Sequence, residues 1–209
     1  MKRRGFLTLA TGLVALPVLL SGWPGSAIAD GVDANAIVND PDAPATGNPN
    51  GDVTIVAFTD YNCPFCKKSE PDLERIVKDD GKVRLVYKDW PILTDASIFG
   101  AQVALAAKYQ GKYDMVRHAL MAIPGRKIQQ EQMLTAVQAS GVDLPRLQSD
   151  LQAHADEITA LLRRNLAQAD ALGLRGTPAY LIGKKLYSTL DYVGFQQAVA
   201  DARQHAEKK

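Results

Sequence analysis

The sequence predicts an α/β fold in which a βαβ unit and a ββα unit flank a helical insertion. Three observations support this prediction. First, DVTIVAFT (52–59) and KVRLVYKDW (82–90) have strand patterns and lie on either side of a helical stretch. Second, residues 94–173 contain helical patterns and no convincing strand. Third, GTPAYLIGKKLYSTL (176–190) contains two short strand patterns, and a helical one follows them.

The first unit begins after a polar lead-in. Residues 30–51 are rich in Asp, Asn, Pro, Gly and Ala, and they predict one short strand, at Ala36–Val38. The strand at 52–59 is nearly continuous in apolar and β-branched residues, which is typical of a central strand buried on both faces. The helix that follows extends to about Asp79 and contains Pro71, where we expect a kink because proline removes a backbone hydrogen bond.

The insertion is predicted to be helical throughout. SIFGAQVALAAKYQ (97–110) is apolar almost all round, which indicates a buried helix. Shorter helices are expected at 131–140 and 144–153. A turn near Gly183–Lys184 then joins the last two strands. Apolar residues at helical spacing mark the last insertion helix (Ile158, Leu161, Leu162, Leu166 and Ala169) and the final helix of the chain (Phe195, Val199 and Ala202).

The N-terminus has the features of an export signal. A basic start precedes an apolar run from about Phe6 to Leu20, and small residues at Ala27 and Ala29 suit cleavage after Ala29. The run is shorter than the roughly 20 residues that a spanning helix needs. RRGFL is similar to a twin-arginine signal but lacks the usual Ser or Thr before the arginine pair, so an ordinary secretory signal stays open. We therefore expect an exported protein of the periplasm, an oxidising compartment.

These patterns divide the chain into four parts. The predicted parts are a signal peptide (1–29), a lead-in (30–51), a sheet domain assembled from both ends of the chain (52–93 and 174–209), and a helical insertion domain (94–173). The full chain of 209 residues has a net charge of +1, and the three basic residues of the signal peptide leave −2 for the rest. That balance gives no argument for binding nucleic acid or a membrane surface.

The only two cysteines, Cys63 and Cys66, lie in the motif DYNCPFCKK (60–68) at the junction of strand and helix. As a structural disulfide they would close a loop of four residues, which contributes only about 2 kcal/mol by chain entropy. Structural zinc needs four ligands, and His118, His154 and His205 are far apart in sequence. A two-thiolate Cu(I) site stays open.

A redox dithiol is the interpretation that the position favours. The free N–H groups and the dipole at the start of a helix stabilise a thiolate at Cys63. Cys-X-X-Cys thiols so placed have a pKa as low as about 3.5–7.5. Pro64 suits the first helical turn, where its missing N–H costs little, and Phe65 presents an apolar face beside the sulfur. Cys66, one turn further in, is expected to be more buried and able to attack a mixed disulfide at Cys63.

Three features together resemble the DsbA-like branch of the thioredoxin superfamily, and more closely its exported bacterial proteins of the Com1 type. They are FTDYNCPFCKK after a buried strand, the helical insertion, and GTPAYLIG about 110 residues later. The resemblance covers about residues 36–205. It implies a thioredoxin fold with Cys63 as the exposed nucleophile and Cys66 as the resolving thiol. It also implies a cis bond between Thr177 and Pro178 that lies against the dithiol.

The resemblance also bears on residues around the dithiol. Thr177 and Pro178 would present backbone to an extended substrate, with Pro64 and Phe65 beside it. Lys88, at the end of the second strand, would tune Cys66 or relay a proton, although an exposed strand-end lysine is an equal alternative. Asp60 would cap the helix or modulate the thiolate.

One position departs from the family. Relatives often carry a buried carboxylate six residues before the first cysteine, where this chain has Ala57. Glutamate-assisted proton transfer at Cys66 is therefore in doubt. The insertion would shape an apolar groove over the dithiol, edged by Phe65 and Trp90.

The function that follows is an exported protein thiol:disulfide oxidoreductase. It would donate the Cys63–Cys66 disulfide to folding secreted proteins, need no cofactor, and be reoxidised by a DsbB-like membrane protein coupled to quinone. The short segment before 52–59 favours a monomer. An isomerase or reductase of the same fold stays open, because Thr before the cis-proline also occurs in isomerases. A periplasmic Cu(I)-binding protein is the alternative of a different class, and a glutathione-transferase-like use of the fold is weaker still.

Overall fold

The computed structural model describes residues 26–27 and 33–207, so nearly all of the predicted signal peptide lies outside the described residues. The strands described are Ser26–Ala27 (β1), Ala45–Gly47 (β2), Val53–Thr59 (β3), Val83–Asp89 (β4), Ala179–Ile182 (β5) and Lys185–Tyr187 (β6). The helices described are Ala34–Val38 (α1), Pro64–Asp80 (α2), Asp95–Ala107 (α3), Tyr113–Met121 (α4), Gln130–Ala139 (α5), Leu144–Ala153 (α6), Ala155–Ala171 (α7) and Tyr192–Glu207 (α8). A short 3-10 turn, Lys108–Gln110, follows α3.

The described strands form one mixed sheet in the order β1-β6-β5-β3-β4-β2. β3 and β4 are parallel, as their connection through α2 predicts, while β5 pairs antiparallel with β3 and β6 pairs antiparallel with β5. In the register, Ala57 on β3 lies between Tyr87 on β4 and Tyr180 on β5. The predicted α/β fold of βαβ and ββα units around a helical insertion is confirmed.

Each face of the sheet carries its own apolar core. The first core contains Ile55, Ala57, Leu85 and both cysteines, and it packs against α2, α8 and the insertion helices. The second core lies on the other face, where Val56, Phe58, Val86 and Trp90 pack against α1 and the end of α7. Because side chains alternate along a strand, successive residues of β3 and β4 enter different cores. The dithiol belongs to the first core.

The expected strand at Ala36–Val38 is wrong, because these residues belong to α1. The Asp33 carboxylate accepts a hydrogen bond from the Ala36 backbone N–H at 3.0 Å and so caps the helix. Ile37 then enters the second core. The edge strand of the lead-in is β2 instead, which pairs antiparallel with β4.

α2 carries the dithiol at one end and runs on past Pro71 to Asp80, so that proline does not end the helix. Gly81 follows in the left-handed conformation, with φ of 68°, which glycine adopts without a steric penalty. The buried face of α2 consists of Cys66, Ser69, Glu70, Leu73 and Ile76. The spacing of three and four residues keeps these side chains on one side of the helix, toward the first core.

The insertion contains the predicted helices and one that the sequence pattern did not identify, α4. In α7, Ile158, Leu161 and Ala169 are buried as expected, but Leu166 is 45% exposed, so its assignment to the buried face is wrong. Among the residues described, the structure contains no helix both long and apolar enough to span a bilayer.

Gly100 is a point of close approach between the insertion and the dithiol loop. A Cβ atom added there would lie 3.1 Å from the Met133 sulfur and 3.1 Å from the Tyr61 ring. Met133 and Tyr61 are both buried, so neither side chain has free space to retreat into.

We therefore predict that Gly100→Val lowers the free energy of unfolding by about 1–3 kcal/mol through overpacking. Ala160→Val, at an exposed position inside α7, is the matched control and costs less than about 1 kcal/mol through helix propensity alone. Urea unfolding measures both. Equal losses in the two variants would show that the contact at Gly100 is loose.

Candidate active site

Cys63 is the N-cap of α2, and this fixes its thiol over the first helical turn. Its backbone is extended, with φ of −80° and ψ of 114°, and its sulfur accepts a hydrogen bond from the Cys66 backbone N–H at 3.2 Å. Pro64 occupies the first helical position, where no N–H is required. The local sequence thus aims the unpaired N–H groups of a helix N-terminus at one sulfur.

These contacts make Cys63 an acidic thiol. The side chain of Cys66 hydrogen-bonds to it and lowers the pKa of Cys63 to about 6, with support from the backbone N–H groups of Cys66 and Phe65. The helix dipole acts in the same direction. At neutral pH Cys63 is therefore mainly a thiolate, the form that attacks disulfides.

The prediction that Cys63 is exposed is wrong, since the residue is only 2% exposed. As the N-cap its side chain folds back over α2, and its sulfur lies 3.1 Å from the Thr177 carbonyl oxygen. The thiol is thus covered by the loop that precedes β5.

Cys66 lies deeper, with no exposed surface. Burial raises the pKa of Cys66 far above its ordinary range, and the neighbouring Cys63 adds to the effect. Both cysteines are free thiols. The two thiols therefore differ in charge: Cys63 is ionised at neutral pH, and Cys66 holds its proton.

The Thr177–Pro178 peptide bond is cis, as the resemblance implied. Its loop brings the Thr177 carbonyl against Cys63, although the two residues are 114 positions apart in the sequence. The Thr177 hydroxyl oxygen is buried and has no hydrogen-bond partner among the described atoms. Pro178 is buried and directly precedes β5.

Several apolar side chains near the motif are exposed, but Trp90, which was expected among them, is not. Phe65 is 58% exposed, and Pro64 beside it is also exposed. Ile92 and Leu93 are exposed too, on the loop after β4. The placement of Trp90 at the edge of a groove is wrong, because this residue is 4% exposed and packs edge-to-face on Phe58 in the second core.

Lys88 is neither an exposed strand-end lysine nor a neighbour of the dithiol. It is fully buried, and its Nζ donates to the Asp40 carboxylate at 2.6 Å. Its place in β4 matches that of Val86 and Trp90, so its side chain points to the second core, on the opposite face from Cys66. Tuning of Cys66 by Lys88 stays a prediction, and no contact between the two residues is found in the part of the chain that the structure describes.

Asp60 does not cap α2, since Cys63 does. Its buried carboxylate instead accepts hydrogen bonds from the backbone N–H groups of Ile92 and Leu93, at 2.8 and 3.0 Å, and from the Ser97 hydroxyl at 2.7 Å. Through these hydrogen bonds, Asp60 connects the motif to the loop after β4 and to α3.

Asn62 is a functional residue that the sequence reasoning missed. Its side-chain oxygen accepts from the Ile128 N–H at 2.6 Å, while its nitrogen donates to the Ile128 carbonyl at 3.1 Å and to Thr94 at 2.8 Å. Asn62 therefore pins the insertion to the dithiol loop. The only sequence signal was an amide directly before Cys63, which by itself is also typical of a turn.

Two buried charged groups in the first core were also missed. Asp89, at the end of β4, accepts from the hydroxyls of Tyr61 and Tyr113 at 2.9 and 3.1 Å, and burial raises the pKa of Asp89 to about 7. Arg117 on α4 forms a bidentate ion pair with Glu70 on α2. The described residues include no group of three or more His, Cys, Asp and Glu side chains placed to hold a metal ion.

Comparison with known proteins now identifies the family. The family model described as thioredoxin matches residues 39–201. The chain belongs to the thioredoxin family. It is also similar to two solved structures. One is a thioredoxin-like oxidoreductase from Silicibacter pomeroyi, with 40% identity, a TM-score of 0.78 and coverage of 83% of this chain and 99% of that one. The other is the thiol-disulfide exchange protein alpha-DsbA2 from Wolbachia pipientis, with 29% identity, a TM-score of 0.74 and coverage of 80% and 90%.

The curated relatives include a disulfide bond formation protein and longer proteins of another kind. The chain is 25% identical over 165 residues to a probable disulfide bond formation protein D of Bacillus anthracis, covering 73% of this chain and 75% of that protein. It is 26% identical over 181 residues to a Na(+)/H(+) antiporter NhaA 1 of Salinispora arenicola. That match covers 84% of this chain but only 27% of the antiporter's length. The resemblance to DsbA-like thiol–disulfide exchange proteins is thus confirmed.

The acidic thiol generates a prediction about stability and pH. A pKa that is about 6 in the folded reduced protein, against about 8.5 for a free cysteine, stabilises the fold above pH 8.5. That stabilisation is lost as the pH falls through 6, and it amounts to about 3 kcal/mol at most.

Urea unfolding of the reduced protein and of Cys63→Ser, each between about pH 5 and pH 9, measures this contribution. The gap between the two unfolding free energies is expected to narrow as the pH falls from about 8.5 to about 6, because only over that range does Cys63 bind more protons in the unfolded state. The effect of Asp89 protonation on stability is common to both proteins. A gap that does not vary with pH would show that Cys63 has an ordinary pKa.

The Asn62 contacts predict a local effect. Asn62→Ala leaves the Ile128 N–H and carbonyl without partners, which costs about 1–3 kcal/mol. Hydrogen exchange at the Ile128 amide should accelerate more than at amides of α8. Asn50→Ala, at an exposed position, is the control and should change neither quantity. Unchanged protection at Ile128 would mean that the insertion is held by its apolar contacts alone.

Proposed function

We propose that this protein is an exported thiol:disulfide oxidoreductase that donates the Cys63–Cys66 disulfide to folding secreted proteins. The observation that carries the proposal is the Cys63 thiol at the N-terminus of α2, where hydrogen bonds from Cys66 hold its pKa at about 6. The family and its disulfide-exchanging members supply the reaction class. What the proposal adds is the direction of exchange, from the enzyme disulfide to substrate thiols.

The reaction proceeds through a mixed disulfide. A substrate thiolate attacks the Cys63 sulfur, the bond between Cys63 and Cys66 breaks, and its electron pair leaves on Cys66. A second substrate thiolate then attacks the substrate sulfur bound to Cys63, and Cys63 departs as a thiolate. The substrate loses two electrons and two protons. Cys66 takes up one proton, and the other goes to solvent because Cys63 stays ionised at neutral pH.

The stabilised Cys63 thiolate favours donation over reduction. Contacts that stabilise the thiolate stabilise the reduced enzyme, so its disulfide becomes a stronger oxidant. A thiolate with a pKa below the ambient pH is also a good leaving group, so the mixed disulfide resolves readily toward the substrate disulfide.

The surface around the thiol suits an extended, partly unfolded chain. The Thr177 backbone beside Cys63 offers hydrogen bonds to a substrate strand, and Pro64 and Phe65 offer an exposed apolar contact. We further propose that the protein acts as a monomer in the periplasm after removal of residues 1–29. A DsbB-like membrane quinone reductase then restores the disulfide.

An isomerase or reductase of the same fold is the alternative. It uses the same thiols but works in the reduced state and attacks substrate disulfides through Cys63. The position of Thr177 before the cis-proline is the observation that favours it.

Trapping of the intermediate tests the proposal. In Cys66→Ala, Cys63 is first converted to its mixed disulfide with thionitrobenzoate, a better leaving group than Cys63, and then mixed with an unfolded peptide that carries one cysteine. The peptide thiolate displaces thionitrobenzoate and forms a disulfide with Cys63, which persists until reductant is added because the peptide has no second thiol to resolve it, whereas Cys63→Ala forms no such complex.

Refolding of ribonuclease shows whether the protein donates disulfides or rearranges them. The oxidised wild-type protein should restore ribonuclease activity without added oxidant, about one enzyme disulfide being consumed for each substrate disulfide formed. If the enzyme reactivates scrambled ribonuclease only when it is reduced, the donor proposal is wrong and the isomerase is correct.

A further inference from the structure

The buried ion pair between Arg117 and Glu70 lies on the dithiol side of the sheet and has no part in the exchange described so far. Arg117 comes from α4 of the insertion, and Glu70 from α2. Arg117 has no exposed surface, and both of its terminal nitrogens bind the Glu70 carboxylate. A buried charge pair is costly to desolvate, and apolar residues of similar size often replace one without loss of stability. Stability alone is therefore a weak reason for the pair to exist here.

Its position relates it to Cys66. Glu70 follows Cys66 by four residues on the same buried face of α2, so the two side chains are neighbours. Between them in sequence, the Ser69 hydroxyl bonds to the Tyr180 hydroxyl at 2.6 Å and to the Cys66 carbonyl at 3.3 Å. Glu70, and with it the guanidinium that it binds, is thus about one helical turn from Cys66 on the buried face of α2.

The guanidinium group is also held in place from its other side. It stacks over the Tyr87 ring at 4.1 Å, and one of its nitrogens lies 3.4 Å from the Thr59 hydroxyl. Tyr87 on β4 pairs with Ala57 on β3. Ala57 has an uncharged side chain, so this position of the sheet contributes no charge near the dithiol. The Arg117 Nε is buried and has no hydrogen-bond partner among the described atoms.

The charge of Arg117 interacts electrostatically with Cys66. Burial lowers the pKa of Arg117, and negative charge that forms on Tyr61, Cys66 or Tyr180 raises that pKa. The interaction is mutual, so a thiolate on Cys66 is stabilised by the guanidinium. Arginine keeps its charge even in a buried site with a carboxylate partner.

We propose that Arg117 is a positioning residue that stabilises the buried Cys66 thiolate at the moment when the disulfide opens, with Glu70 holding the guanidinium in place. The inference rests on the proposed exchange at Cys63 and Cys66. When a thiolate attacks Cys63, the departing electron pair leaves negative charge on Cys66 in a site without water contact. A nearby cation lowers the barrier in both directions, because the same thiolate attacks Cys63 in the reverse step.

The test compares two variants that differ only in this cation. Glu70→Gln keeps Arg117 hydrogen-bonded, and Glu70→Gln combined with Arg117→Met removes the charge. The rate at which glutathione reduces the Cys63–Cys66 disulfide should be about three- to tenfold lower in the double variant. The equilibrium constant with glutathione should change less than the rate, since Cys66 is protonated in the resting reduced enzyme. Arg117→Lys in the Glu70→Gln background should restore much of the rate.

A control removes a more exposed ion pair at the far end of α2. Arg203 on α8 is bidentate to Asp80 and also binds Asp52, and Asp80 lies about 20 Å along the helix from Cys66. Asp80→Asn and the double variant Asp80→Asn with Arg203→Met should reduce at equal rates. If Glu70→Gln with Arg117→Met fails to fold, the apolar pair Glu70→Met with Arg117→Met replaces it, and it should react more slowly than the wild type.

The outcomes separate the two proposals. Suppose that glutathione reduces the wild-type disulfide and reduces Glu70→Gln and the Glu70→Gln, Arg117→Met double variant at equal rates. That result would overturn the role of Arg117 and leave the exchange function intact. A wild-type disulfide that glutathione does not reduce would instead overturn the proposed function.

Discussion

The rest of the site depends on one hydrogen bond, from the Cys66 N–H to the Cys63 sulfur at the N-terminus of α2. It makes a cysteine the helix cap, and the capping sulfur gains the stabilisation that a helix N-terminus gives to negative charge. The same turn forces Cys66 inward, where burial keeps its proton bound. One geometric constraint therefore produces two thiols of opposite character, and exchange chemistry needs that asymmetry.

The second constraint is the attachment of the insertion to this turn. Asp60 and Asn62, on either side of Tyr61, bind backbone groups of the loop after β4 and of the segment before α5. Arg117 on α4 pairs with Glu70, which lies one turn after Cys66 in α2. The insertion is thus joined to the dithiol by buried polar contacts as well as by apolar packing. Through Arg117, the insertion also places a buried cation in the first core.

The sequence predicted the parts of this arrangement that depend on local pattern. The strands around 52–59 and 82–90, the helix that begins at the motif, and the hairpin near Gly183 all have strong periodicity or turn chemistry. α1 was mistaken for a strand because a side-chain cap, not periodicity, decides so short a segment. The orientation of Lys88 could not be predicted because β4 is buried on both faces, so alternation does not show which face meets the dithiol. Arg117 and Glu70 are 47 residues apart, and nothing in either local segment indicates the pairing.

The most direct test of the central claim is the reduction potential of the Cys63–Cys66 disulfide, measured by equilibrium with glutathione on the purified protein. If the capped thiolate makes the disulfide an oxidant, the potential lies near the value of about −120 mV that is typical of DsbA. A potential near about −270 mV, as in thioredoxin, would contradict the account. The contacts at Cys63 would then serve a reductase, and the protein would need a source of electrons in place of an oxidising partner.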